Sequence, residues 1–132
     1  MGFCVRVLLD TCSLIWLTQE PAKLSDTCKA EIDNPENSLV VSHASVWEIL
    51  LKNRARKFTF PLPIRRWLEK QKSIWDFEYL AISLEHLLRT GEIEGHHNDP
   101  FDRLLVAQSI IENISILTPD SAIAKYPVHV IW

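Results

Sequence analysis

The amino-acid sequence predicts an α/β fold, a three-layer α/β/α sandwich built on a mostly parallel central sheet of about five strands. Two observations predict it. Short apolar runs alternate along the 132 residues with segments of helical apolar spacing, and such alternation implies a parallel sheet covered on both faces. Right-handed crossovers then make the three-layer sandwich the default arrangement. At roughly 100–200 residues per domain, the chain is expected to be one domain over residues 1–132.

The elements follow in order. Phe3 to Leu9 is a short, mostly apolar run ending at Asp10 and reads as a buried strand. A helix is expected from Thr11 through Trp16 and Leu17, stopped near Glu20-Pro21. Ser25-Asp26 caps a second helix through Ile32, which Asn34-Pro35 ends. Ser38 to Ser42 is a second buried strand. Val46, Ile49, Leu50 and Lys52-Asn53 then follow helical spacing, with Trp47 and Leu51 widening the apolar face and Trp47 expected in the core. Pro61 and Pro63 break the chain before Ile64, Trp67 and Leu68 resume a helix. Phe77 to Ile82 reads as extended, Ser83 starts a helix reaching Leu88, and Gly91 and Gly95 bracket a loop. Asp99-Pro100 opens a long helix whose Leu104, Leu105, Ala107, Gln108 and Ile111 lay a stripe against something flat. Ser115 to Thr118 is a strand, Asp120 to Lys125 a short helix, and Val128 to Ile131 a final strand.

Hydrophobic residues make up 47% and charged residues 23%, which excludes a disordered or coiled-coil chain. No apolar run approaches the ~18–20 residues of a membrane span. Arg6 and Asp10 interrupt the one N-terminal candidate, which also lacks a basic leader and a small-residue cleavage site. Cys4, Cys12 and Cys28 form no CxxC pair, so neither a disulfide scaffold nor a thiolate zinc site is expected. A reduced, cytoplasmic protein with no membrane segment is the expectation.

The net charge of −3 hides an uneven distribution. Lys52, Arg54, Arg56, Lys57, Arg65, Arg66, Lys70 and Lys72 face the single acid Glu69, so residues 52–72 carry +7 and the remainder −10. Such a stretch engages phosphate through local positive potential, or simply solvates helix faces.

Ligand sites of open parallel sheets form beyond the carboxyl ends of the strands, and acidic residues fall there repeatedly. Asp10 ends the first strand, Glu48 lies six residues past Ser42, Asp99 and Asp102 open the long helix, and Asp120 follows the fourth strand. Each has a structural alternative. Asp10 and Asp99 are good helix caps, Ser45-Val46-Trp47-Glu48 matches a capping box, and Asp120 suits a turn. Together they fit those alternatives less well: two carboxylates ~5 Å apart repel by roughly 3 kcal/mol at an effective dielectric of about 20. A cluster of this kind calls for a cation. Oxygen-only ligands favour Mg²⁺ or Mn²⁺ over zinc, and such a site suits metal-assisted phosphodiester hydrolysis.

Four segments, Leu8-Leu9-Asp10-Thr11, Ser45-Val46-Trp47-Glu48-Ile49 with Lys52, His97-Asn98-Asp99-Pro100-Phe101-Asp102-Arg103-Leu104-Leu105-Val106-Ala107-Gln108, and Leu117-Thr118-Pro119-Asp120, resemble a PIN domain. More closely, they resemble the VapC-like toxins of bacterial and archaeal toxin–antitoxin pairs, over nearly the whole chain. The resemblance implies a Mg²⁺- or Mn²⁺-dependent endoribonuclease that leaves 5′-phosphate and 3′-hydroxyl ends. It assigns Asp10, Glu48, Asp102 and Asp120 to the catalytic acidic set, and Asp10, Asp102, Glu48 and Asp99 to metal binding, Asp99 as ligand or helix cap. Asp102 ranks above Asp99 by its spacing to Ala107. Thr11 and Thr118 orient carboxylates or water, and Arg103 contacts the phosphate or a neighbouring acid. Lys52, Arg54, Arg56, Lys57, Arg65 and Arg66 become an RNA-positioning surface. The resemblance also implies a cognate antitoxin as partner and a homodimer. Trp16, Trp47 and Trp67 sit on amphipathic helices that suit a groove for a partner helix.

Other readings compete. Cys12 stands where a haloacid-dehalogenase phosphatase needs a second aspartate, and no glycine-rich phosphate loop occurs. His96 and His97 read as loop residues and Cys12 as a small hydrophobe. A PIN scaffold that only binds RNA or a protein partner remains as the non-catalytic alternative.

Overall fold

The computed structural model describes residues 5–96 and 98–132; Phe3 and Cys4 of the first expected strand, and His97, lie outside them. The elements are β1 (Val5–Leu9), α1 (Thr11–Gln19), α2 (Asp26–Asp33), β2 (Asn37–Ser42), α3 (His43–Arg54), α4 (Ile64–Trp75), β3 (Glu78–Leu80), α5 (Leu84–Thr90), α6 (Pro100–Glu112), β4 (Ser115–Leu117) and β5 (Val130–Ile131). Single 3₁₀ turns lie at Pro21–Lys23 and Ile123–Lys125. The five strands form one sheet in the order β3-β2-β1-β4-β5, with every pair parallel. The expected α/β sandwich is thus observed.

β1 takes the centre because it can be covered on both sides: Val7, Leu8 and Leu9 are all fully buried. Alternation then sorts the side chains. Val7 and Leu9, with Leu39, Val41 and Leu117, join a core formed with Leu14 and Leu17 of α1, Cys28 and Ile32 of α2, and Trp67 of α4. Leu8, Val40 and Ile116 face the opposite way, onto Leu104 and Leu105 of α6 and onto Ile123 and Tyr126. The chain lays β2 and β3 on one side of β1, then returns to place β4 and β5 on the other. The β1–β4 boundary is therefore a topological switch point, where parallel sheets open a crevice at their carboxyl ends.

Several local expectations are corrected. The capping box from Ser45 to Glu48 does not form. β2 runs straight into α3, and Ser42 caps it by accepting from Ala44 N at 2.9 Å. Glu48 is left inside the helix and buried. Trp47 is not core but 54% exposed, because α3 buries Ala44, Ser45, Glu48 and Ile49 and turns Trp47, Leu50 and Leu51 outward. The third strand contracts to Glu78–Leu80 and the last to Val130–Ile131. The expected helix from Asp120 is only the 3₁₀ turn Ile123–Lys125, since Asp120 accepts from Ala122 N in a turn of its own. Among the described residues no helix is long and apolar enough to cross a membrane.

Candidate functional site

At the switch point, the register sets Leu9 beside Leu117, so the residues that follow each strand meet. Asp10 N donates to Leu117 O at 3.2 Å, and Ser13 Oγ donates to the same carbonyl at 2.9 Å. Asp10 is 4% exposed, and each of its carboxylate oxygens accepts a hydrogen bond. Its Oδ1 accepts from Ser13 N at 2.7 Å, capping α1, and its Oδ2 accepts from Thr118 Oγ1 at 2.6 Å. Thr118 in turn accepts from Asp120 N at 3.1 Å. A single hydroxyl therefore ties the ends of β1 and β4 together and orients both acids. Burial pushes the Asp10 carboxyl above its ordinary value; hydrogen bonds from Thr118 and Ser13 oppose the shift, and nearby Asp120 adds to it.

The other acids arrive on helices. Asp99 caps α6, its Oδ1 accepting from Phe101 N at 2.9 Å and Asp102 N at 3.2 Å. Asp102 sits in the first turn of α6 and gains from the positive end of that helix dipole. Glu48 reaches in from α3. Asp10, Glu48, Asp99, Asp102 and Asp120 all line one cleft of about 310 Å³. Every acid singled out from the sequence is in it, and the two cap assignments also hold: Asp10 and Asp99 cap their helices while facing the cleft.

Lys52 shares the cleft. Its Nζ donates to Glu48 Oε2 at 2.6 Å. Burial works against its charge, yet Glu48 first, then Asp99 and Asp102, hold its pKa above the usual value. Glu48 Oε1 is buried and has no hydrogen-bond partner among the described residues. A buried acceptor without a donor is uncommon, and a hard cation is the partner such an oxygen fits. The donors are all oxygen, as Mg²⁺ and Mn²⁺ prefer. Even so, no three His, Cys, Asp or Glu side chains among the described residues already form a chelating set; the carboxylates stand as a wider ring.

The remaining candidates divide. Thr11 donates to Ser45 Oγ at 3.0 Å, which joins α1 to α3 rather than orienting an acid. Arg103 directs its guanidinium to backbone carbonyls, with Nη2 reaching Thr90 O at 2.5 Å and Ile93 O at 3.1 Å and Nη1 reaching Glu94 O at 2.9 Å. It pins the turn before α6. Arg54, in the last turn of α3, and Arg56 and Lys57, just past its end, are exposed and close in sequence to Phe58, a cleft residue. Arg65 lines a separate groove with Val46, Leu50 and Leu68, and Arg66 is exposed on α4. Cys12 borders the cleft, and burial, then the nearby Asp10, push its thiol up to about 11.

Sequence reasoning missed Ile15 and Phe58 in the apolar wall of the cleft, gave Trp16 to a groove for a partner helix, and counted Lys52, quoted beside the Glu48 segment, in the RNA-positioning surface. The four-residue spacing of Glu48 and Lys52 on one helix was the available signal. It also missed a buried polar chain in which Ser42 Oγ donates to Gln108 Oε1 at 2.5 Å while Gln108 Nε2 lies 3.3 Å from His86 Nδ1. That chain fastens α6 to the end of β2 and to α5.

The fold is shared with solved complexes. A chain of VapBC2 from Rickettsia felis, bound to a DNA fragment from its promoter, superposes with a TM-score of 0.70 at 17% identity, covering 96% of this chain and 97% of that one. A chain of the DNA-bound VapBC of Salmonella typhimurium gives 0.67 at 15% identity, covering 96% of each. No curated protein matches the sequence. Residues 7–128, which run from the central strand past Asp120 and so hold all five cleft acids, match the PIN domain family, and the chain belongs to that family.

Proposed function

We propose that this PIN domain, a single domain acting in the cytoplasm, is a divalent-metal-dependent endoribonuclease, the toxin of a VapC-like toxin–antitoxin pair. One observation carries the reading: five carboxylates from four separate elements and loops converge on one cleft in which Glu48 Oε1 lacks a partner. Carboxylates this concentrated repel one another unless a cation joins them. The oxygen-only donor set selects Mg²⁺ or Mn²⁺.

In this reading Asp10, Glu48 and Asp102 hold the ion, and Asp99 and Asp120 flank it. A divalent ion bound there neutralises phosphate charge and acidifies water. The protein does the rest by positioning. Thr118 fixes the Asp10 Oδ2 lone pairs and the Asp120 backbone together. Asp99, tied to the first amides of α6, sets the direction in which Asp102 enters the cleft. Ile15, Trp16 and Phe58 wall one side, and an aromatic wall suits stacking against an unpaired base. Arg54, Arg56 and Lys57 supply positive potential at the end of α3, favouring RNA without reading its sequence.

The two solved structures named above are VapBC assemblies, which supports an antitoxin as partner. Trp47, Leu50 and Leu51 of α3 and Leu84, Leu87 and Leu88 of α5 are exposed apolar side chains. We assign that surface to a homodimer, which light scattering on the purified chain tests.

The activity is tested by incubating partner-free protein with end-labelled small RNA in Mg²⁺, Mn²⁺ or EDTA beside Asp102→Asn. Discrete fragments that need the metal and vanish in the variant are expected. A folded wild type that binds Mn²⁺ and RNA but leaves the RNA intact points instead to a non-catalytic PIN scaffold.

A further inference from the structure

Glu48 uses its two carboxylate oxygens differently. Oε2 accepts from Lys52 Nζ at 2.6 Å, while Oε1, buried, has no hydrogen-bond partner among the described residues. Lys52 comes from the next turn of the same helix, and its ammonium lies 5.3 Å from the Phe58 ring centroid. Its side chain is 35% exposed against 6% for Glu48. The pair is therefore half sheltered from water, where a charge contact is screened less than on the open surface.

We infer that Lys52 is the built-in counter-ion of the acidic cleft. Its ammonium balances Glu48 in the metal-free protein and competes with a divalent cation for the same carboxylate ring, so that Lys52 sets how tightly the cation is held. Three observations converge on this. Lys52 lies inside the cleft, whereas Arg54, Arg56 and Lys57 are exposed beyond it. It bonds Glu48, whose second oxygen is buried with no hydrogen-bond partner among the described residues. Among the described residues the carboxylates form no closed chelating set, and Glu48 in the ring is bonded to Lys52. An ammonium on Oε2 and a cation on Oε1 share one carboxyl group, and two positive charges that close repel. Without Lys52, however, the metal-free protein would bury the Glu48 carboxylate with no opposite charge beside it, which is costly. Removing the charge thus has effects of opposite sign: the empty protein loses stability and the cation is held more tightly. Loss of a purely structural contact would weaken both.

The inference rests on the metal-site reading above. Its test uses the full chain, stripped with EDTA, and compares the wild type with Lys52→Gln, Lys52→Met and Lys52→Arg. Mn²⁺ binding is followed by the electron paramagnetic resonance signal of the free ion, and unfolding by thermal denaturation in EDTA. Lys52→Met keeps the side-chain stem beside Phe58, and so serves if the Gln variant does not fold. Both neutral variants are expected to bind Mn²⁺ about tenfold more tightly at low salt, with the gain shrinking as salt rises. Both are expected to melt earlier in EDTA, and Lys52→Arg to stay within about twofold of the wild-type affinity. Mn²⁺ binding that is unchanged or weaker in the neutral variants, with the wild type binding normally, overturns the counter-ion role and leaves the metal site standing. No Mn²⁺ binding by any of the proteins overturns both.

Discussion

Asp10 carries two duties that pull its proton in opposite directions. As the cap of α1 and the acceptor of the Thr118 hydroxyl it is held ionised, yet burial penalises that charge more strongly and raises its pKa above 3.8. In the unfolded chain it titrates near the ordinary value. As pH rises past about 3.8 the unfolded state loses its proton first, so the metal-free protein loses stability until pH passes the folded value. Asp10→Asn removes this term. In EDTA at pH 7 that variant is expected to melt a few degrees above the wild type, with the difference closing as the pH approaches 3.8; thermal scans at several pH values measure it. The Cys12 thiol, pushed to about 11, is about one part in a thousand thiolate at pH 8. Peptide mapping after iodoacetamide treatment should show slow Cys12 alkylation that accelerates about tenfold per pH unit. Alkylation at the rate of a free thiol would contradict the burial that raises it.

Among the elements, α6 matters most to the site, because its first turn supplies two of the acids. Asp99 accepts from two of its amides, and Pro100 occupies the first helical position, where no amide is needed. Asp99→Ala should cost about 1 kcal/mol in urea unfolding, and Asp99→Ser should recover most of it, since serine also caps. Ligation responds differently to the same pair: if Asp99 only caps, the serine variant keeps wild-type Mn²⁺ affinity, whereas a ligand role lowers it. Arg103, one residue past Asp102, holds three carbonyls of the preceding turn. In Arg103→Met, hydrogen exchange should speed up between Thr90 and Glu94 while the buried centre of α6 stays protected. Faster exchange throughout α6 would mean that the arginine supports the helix itself.

At the scale of the whole molecule, the acids and the basic residues are sorted to neighbouring regions of one surface. The acids gather in the cleft, and Arg54 closes α3 with Arg56 and Lys57 directly after it. RNA held this way is bound through its phosphates, so affinity falls with salt. Replacing those three residues with glutamine should reduce the slope of log affinity against log salt by about two on single-stranded RNA. Fluorescence anisotropy across a salt series checks this, with Asp102→Asn as the binding partner so that the RNA survives. An unchanged slope moves the RNA path elsewhere.

Much of this was legible in the chain. Apolar runs such as Val7 to Leu9 specify a strand covered on both faces, and the order of strands and helices specifies a parallel sheet with its acids at one edge. Caps were legible too, because Asp99-Pro100 and Ser83 act on amides only a few residues away. What failed was decided in one case by packing across the fold and in the other by the point at which β2 gives way to α3. Trp47 looked apolar enough for the core, but α3 spends its inner face on Ala44, Ser45, Glu48 and Ile49, so the ring turns outward. The box from Ser45 to Glu48 satisfied a local pattern, yet β2 enters α3 without a loop and Ser42 takes the cap.

The sequence by itself therefore determined the layers, the parallel sheet and the identity of the acids, because period, capping and strand ends are short-range properties. Only the tertiary structure decided what those acids do to one another. It brought Thr118 across 108 residues to Asp10, turned Lys52 inward onto Glu48, and left one carboxylate oxygen buried without a donor. The Thr118 contact depends on the meeting of strands distant in the chain, and the register that makes them meet exists only once the sheet has formed; the Lys52–Glu48 contact is local, four residues along one helix, and the fold supplies its half-sheltered setting.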